Sequence, residues 1–101
     1  MAKIGTAAIK DAVCREFGLK PESMVTARKL RFLARPRQIA MYLSREIDRR
    51  SFADIGTAFG RRDHSTAIHA HRTIAALVAA DPDLRHRVDR VRASLATAVA
   101  T

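Results

Sequence analysis

The sequence predicts an all-α protein, on three observations. No stretch alternates apolar and polar residues as a half-buried strand does, and apolar residues recur at three- and four-residue spacing through successive segments. Those segments are separated by Gly18, Pro36, Gly60 and the pair Asp81-Pro82, residue types that stop or start helices. The most specific of them, Phe59 to Arg72, reads as a sharp turn feeding a helix whose first turn is crowded with hydrogen-bonding side chains, the pattern of a helix-turn-helix.

Taken in order, Ile9, Val13 and Phe17 recur every fourth residue beside Ala8 and Ala12, so Thr6 to Phe17 reads as an amphipathic helix ended by Gly18. Leu19 to Met24 is a short connector. The basic stretch Arg28 to Phe32 reads as a loop, and the next helix is expected to start at Pro36, since proline pre-sets a first helical turn and disfavours helix at the residue before it. Ile39, Leu43 and Ile47 give that helix one apolar face, with Arg45 and Arg49 off it. Ser51 reads as the N-cap of a short scaffold helix in which Asp54 lies near the positive end, Ile55 and Phe59 are buried, and Gly60 is the stop. Asp63 then caps the recognition helix, which runs to about Ala79 with Ala67, Ala70, Ile74 and Leu77 as its buried stripe. Asp81-Pro82 opens a last helix in which Leu84, Val88, Val91, Leu95 and Val99 keep a helical period, and the final Ala-Thr-rich residues are expected to fray.

With 101 residues, 48% of them apolar, the chain can bury one modest core, so residues 1–101 are read as a single domain. The formal charge of +9 favours a polyanionic partner, either nucleic acid or an anionic membrane surface. Arginine strongly outnumbers lysine, which tilts the choice toward phosphates and base edges that a planar fork holds bidentately. No apolar run approaches the length of a membrane span and no leader pattern is visible, so a soluble cytoplasmic, nucleoid-associated protein is expected. The lone Cys14 cannot staple the fold and reads as a small core residue.

Three blocks carry a closer likeness: Ala34 to Leu43 (ARPRQIAMYL), Ile55-Gly56 through Phe59-Gly60, and Arg62 to Ala70 (RDHSTAIHA). Together they resemble the C-terminal DNA-binding domain of DnaA, the bacterial replication initiator, and the resemblance covers roughly residues 5 to 95. It implies a Trp-repressor-like helix-turn-helix that binds the short asymmetric DnaA box, TTATNCACA-like, in double-stranded DNA, with one monomer per site. By matched position it places Arg62, Asp63, His64, Ser65 and Thr66 against bases or flanking phosphates in the major groove. Arg35, Arg37 and Gln38 anchor the DNA backbone at a helix N-terminus, and the basic loop of Arg28, Lys29 and Arg31 enters the adjacent minor groove. The groove chemistry agrees: arginine suits guanine, Asp63 can accept from a cytosine amino group, and a Ser or Thr can lie against a thymine methyl.

The departures bear on specificity. Arg61 stands where the family usually has a second glycine, which adds a charge and a phosphate contact at a tight turn. Ser65 replaces a usual threonine and loses a methyl. Lys29 falls where a minor-groove arginine is typical, and Leu30 and Phe32 replace polar neighbours; lysine, more strongly hydrated, reads a narrow groove less well.

The histidines do not read as a metal site, because His64, His69 and His71 are spaced five and two apart and do not share a helix face. His69 is taken as a hydrogen-bonded residue near the DNA face, and His71 as partly buried. The arginines from Arg85 to Arg92 read as the solvated face of an amphipathic helix rather than a second phosphate-binding surface.

No Gly-rich phosphate loop ending in Lys-Ser or Lys-Thr occurs, so ATP hydrolysis is not expected, and no nucleophile, acid or base suggests an enzyme or a cofactor. The starting methionine favours a stand-alone small protein over an excised domain. The reading is thus a sequence-specific binder of double-stranded DNA linked to replication initiation or its regulation. The alternative is an adaptor that binds another replication protein, or a transcriptional regulator with altered DNA specificity. RNA is disfavoured, since the major groove of A-form RNA is too narrow to admit a helix.

Overall fold

The computed structural model describes residues 4–28 and 30–100, with the side chains of residues 99 and 100 excepted. Among these the chain forms five α-helices and one 3-10 turn: α1 (Thr6–Phe17), the 3-10 turn (Pro21–Met24), α2 (Arg31–Glu46), α3 (Phe52–Ala58), α4 (His64–Ala80) and α5 (Pro82–Ala100). The all-α expectation and every expected helix are present. No helix among the described residues is long and apolar enough to cross a membrane.

α2 is the centre of the packing, touching α1, α3 and α4, while α5 closes the other side against α1 and α4. Ile9 and Val13 of α1, Ile39 and Leu43 of α2, Ile55 and Phe59 around α3, Ile74 of α4, and Val88, Val91 and Leu95 of α5 share one core, all at 2% exposure or less. Each keeps the three- or four-residue spacing that one buried helix face requires. Cys14 lies in this core, its thiol 3.5 Å from the Lys20 carbonyl, and burial, with Asp11 and Glu22 adding to it, pushes its pKa up.

The start of α2 corrects the expectation of a helix beginning at Pro36. The helix begins five residues earlier, at Arg31, and Pro36 lies inside it. At Pro36, the sixth position of the helix, the bond to the Phe32 carbonyl is lost, and the helix continues through it. Leu33, 2% exposed, anchors the additional turn. α5 likewise continues to Ala100, through the Ala-Thr-rich stretch expected to fray.

The helix ends are closed by local chemistry. Gly18 terminates α1 in the left-handed conformation (φ +67), and the Leu19 N–H donates to the Cys14 carbonyl at 2.8 Å. The other end of α1 has no capping side chain of its own. Buried Asp48, 42 residues away, serves instead, accepting from the Thr6 N–H at 3.0 Å and the Thr6 hydroxyl at 2.8 Å. Ser51 caps α3 by accepting from the Asp54 N–H at 3.1 Å. Asp81 caps α5 by accepting from the N–H groups of Asp83 (3.0 Å) and Leu84 (3.2 Å).

Candidate nucleic-acid interface

The turn between α3 and α4 is built from close backbone approaches. Gly60 has φ +89, and a Cβ there would sit 2.5 Å from the Val25 carbonyl oxygen; at Gly56 a Cβ would collide with the Arg62 carbonyl. The Arg62 N–H donates to the Gly56 carbonyl at 2.7 Å, closing the turn. Arg61 follows Gly60 with φ +58, so a non-glycine residue occupies the left-handed region at the tightest part of the path. Lys10 of α1 braces the same turn from beneath: its ammonium donates to the Ala58 carbonyl and lies 4.8 Å from the centre of the Phe59 ring. Burial lowers its pKa, against a smaller opposing effect of Asp11.

α4 emerges from this turn with its first residues in solvent. Asp63, His64, Ser65, Thr66 and, a turn later, His69 are exposed, whereas Ala67, Ala70 and Ile74 of the same helix are buried. The polar first turn and the apolar stripe behind it are therefore separated on the helix as the sequence implies. Asp63 holds the N-cap position, yet its carboxylate makes no cap hydrogen bond of good geometry; Oδ1 lies 3.0 Å from His64 Nδ1. The Ser65 backbone N–H, then its hydroxyl, face the carboxylate closely enough to hold the pKa of Asp63 below the ordinary value, with His64 adding to this. His69 makes a long 3.5 Å contact with the Thr73 hydroxyl. His71, partly buried as expected, has Nε2 3.0 Å from Glu46 Oε2 and lies with its ring 5.2 Å from Tyr42 and 5.7 Å from Phe52.

The basic residues ahead of α4 divide into two groups. Arg28, Arg31 and Arg35 are exposed, and Arg35 donates to Gln38 Oε1 at 2.8 Å. Lys29, expected in the minor groove, lies outside the described residues. Arg37 and Arg62 are turned inward. Arg37 is only 7% exposed and donates from Nε to the Ser23 carbonyl at 2.7 Å, with its terminal nitrogens 3.1 Å from the Thr26 and 3.4 Å from the Arg28 carbonyls. Arg62 donates to that same Thr26 carbonyl at 2.9 Å, and its Nε is buried without a hydrogen-bond partner among the described residues. Burial, and then the neighbouring Arg62 charge, lower the pKa of Arg37. The sequence-based placement of Arg35, Arg37 and Gln38 at a helix N-terminus is corrected with the start of α2: they stand in its second turn, and Arg31 occupies the first position.

A cleft of about 390 Å³ separates α2 from α4, walled by Leu30, Ala34, Met41 and Ala70, with Arg31, Gln38 and Thr66 among its polar residues. Two large apolar residues outside its walls are exposed, Phe32 at 65% and Val25 at 46%. The arginines of α5 stand elsewhere: Arg87 and Arg90 pair with Glu16 of α1, and Arg87 stacks 4.6 Å over Phe17.

A scaffold helix, a glycine-bearing turn and a second helix that presents its polar first turn to solvent define a helix-turn-helix protein. The comparisons narrow the class. Residues 6–74 match the family described as bacterial dnaA protein helix-turn-helix, and the chain belongs to that family. It is 48% identical over 87 residues to the chromosomal replication initiator protein DnaA of Sphingopyxis alaskensis, covering 86% of this chain and 19% of that protein. The DnaA proteins of Rhizobium meliloti (40% over 84 residues; 83% and 18%) and Anaplasma marginale (49% over 76 residues; 75% and 16%) are similar in the same region. The chain thus spans less than a fifth of the length of these relatives.

Proposed function

We propose that the chain binds double-stranded DNA sequence-specifically, at DnaA-box-like sites, one monomer to each asymmetric site, without ATPase activity, in replication initiation or its regulation. The observation that carries this reading is the exposure of the whole set Asp63, His64, Ser65 and Thr66 on one rigid helix end, with Arg28, Arg31, Arg35 and Arg61 also in solvent. Side chains at such a position can reach base edges, and arginines around them can neutralise the phosphates on either side of the groove. The matched relatives are named as replication initiators, which supports the link to initiation.

The test is a titration against a duplex carrying one TTATCCACA box and against a scrambled duplex, at two salt concentrations. Specific complexes are about 10³-fold or more tighter than the same protein's non-specific binding, and six phosphate contacts give a log-log salt slope of roughly −5. A large ratio that collapses in His64→Ala and Thr66→Ala is expected. Equal, salt-sensitive binding to both duplexes would sink the box reading.

A further inference from the structure

Two of the arginines that resemblance assigns to DNA are spent inside the protein, and the contacts they make have one target. Arg37 from α2 and Arg62 from the turn before α4 both donate to the carbonyl of Thr26, at 3.1 and 2.9 Å. Arg37 also holds the carbonyls of Ser23 and Arg28, so the chain on both sides of Thr26 is pinned from α2. From the other side Gly60 lets the helix-turn-helix backbone approach the Val25 carbonyl so closely that no Cβ fits between them. Thr26 adds its own turn, its hydroxyl accepting from the Arg28 N–H at 3.2 Å. The segment Val25 to Arg28 is therefore clamped between the start of the recognition helix and α2, and it leads directly into the basic loop.

We infer that Arg62 and Arg37 are positioning residues: they hold the Thr26 carbonyl and so fix the basic loop against the turn that orients α4, making the two DNA-contacting elements one rigid unit. This rests on the proposed DNA-binding function, but the clamp itself exists in the free protein. A charged donor on a carbonyl is among the stronger hydrogen bonds, and two donors of like charge share this acceptor, with no carboxylate among the described residues accepting from either guanidinium. Each arginine is accordingly worth more to the loop than to the element it comes from, since α2 and α4 have apolar faces in the core whereas the described part of the loop has none. Arg62 acts through the loop, and Arg28 is the group it places.

Two measurements decide this. The first needs no DNA: limited trypsin cleavage after Arg28 in the free protein, with helix content and melting followed by circular dichroism. Arg62→Ala is expected to accelerate that cleavage about tenfold while the helices persist, as loss of a charged hydrogen bond from a local opening equilibrium predicts. Arg62→Lys, which keeps one donor for Thr26, should restore most of the protection. His64→Ala, on the same helix end but away from the clamp, should leave cleavage unchanged. If Arg62→Ala cleaves at the native rate, the clamp does not hold the loop and the inference is overturned.

The second is a double-mutant cycle on the box duplex. Arg62→Ala and Arg28→Ala are each expected to weaken binding about tenfold, and the double variant by little more than either, because the first already releases what the second removes. Losses that multiply to about a hundredfold, each with its own decrease in salt slope, would mean that Arg62 touches DNA directly, against the inference. Failure to bind either duplex would defeat the proposed function, while the cleavage rates still decide the clamp.

Discussion

At the two residues of the turn, Gly60 and Arg61, conformation and chemistry pull in different directions. Gly60 cannot be replaced without cost: its φ is +89 and the Val25 carbonyl occupies the space of a Cβ. Gly60→Ala should lose about 3 kcal/mol of unfolding free energy, combining left-handed strain with a backbone collision, as read from urea titration. Arg61, at φ +58 and exposed, carries left-handed strain at the turn. Arg61→Gly should raise stability by about 0.5 to 1 kcal/mol, the relief of strain exceeding the added freedom of the unfolded chain, while non-specific DNA affinity falls with the lost charge. For Asp63 the prediction concerns pH. Its folded pKa is depressed, so its contribution is present above the ordinary carboxylate value and is lost as pH falls through the folded value. The difference in melting temperature between the native protein and Asp63→Asn should therefore be constant near neutrality and close only in acid; a gap that widens in acid would refute the assignment. The position of Asp63 was legible because a short polar residue before a helical period is a cap signal. The burial of Arg37 was not, since nothing in a sequence separates an arginine that reaches for loop carbonyls from one that reaches for phosphate.

Among the helices, those bounded by unambiguous signals were read to within a residue: α1 by Gly18, α3 by Ser51, α4 by Asp63 and Asp81. α2 was not, and the reason lies in its buried face. Leu33 begins that face, but the next buried positions on it are Pro36 and Arg37, a helix breaker and a charged residue, so the apolar period is interrupted and Pro36 becomes the more conspicuous start. The first turn of α2 is paid for by Leu33 packing and by the guanidinium network, neither of which is a local signal. Ser51 offers a test at this scale. Ser51→Ala should cost about 1 kcal/mol through loss of the 3.1 Å bond from the Asp54 N–H, and because α3 has only seven residues the effect should appear first as faster amide exchange in α3 and the turn after it. Unchanged exchange would show that tertiary packing alone holds α3.

The charge of the whole molecule, +9, states that a polyanion is attracted but not where it sits. The structure distributes that charge unevenly. Arg28, Arg31, Arg35 and Arg61 are exposed around the start of α2 and the turn before α4, whereas Arg87 and Arg90 are drawn to Glu16 on the α1–α5 side. With the arginines about half exposed, pairs of that kind contribute little to stability, so their clearest signature is electrostatic: a cation already neutralised by a carboxylate displaces fewer of the counterions condensed on DNA. The helix-turn-helix side alone should therefore set the salt dependence. Removing a phosphate contact flattens the log-log slope by about 0.9. Arg31→Ala and Arg35→Ala are expected to show this decrement, singly and additively, whereas Arg90→Ala should leave the slope unchanged on both box and scrambled duplexes. A full decrement in Arg90→Ala would place DNA across α5 as well, and the interface would then have to wrap around two sides of the domain rather than lie along one.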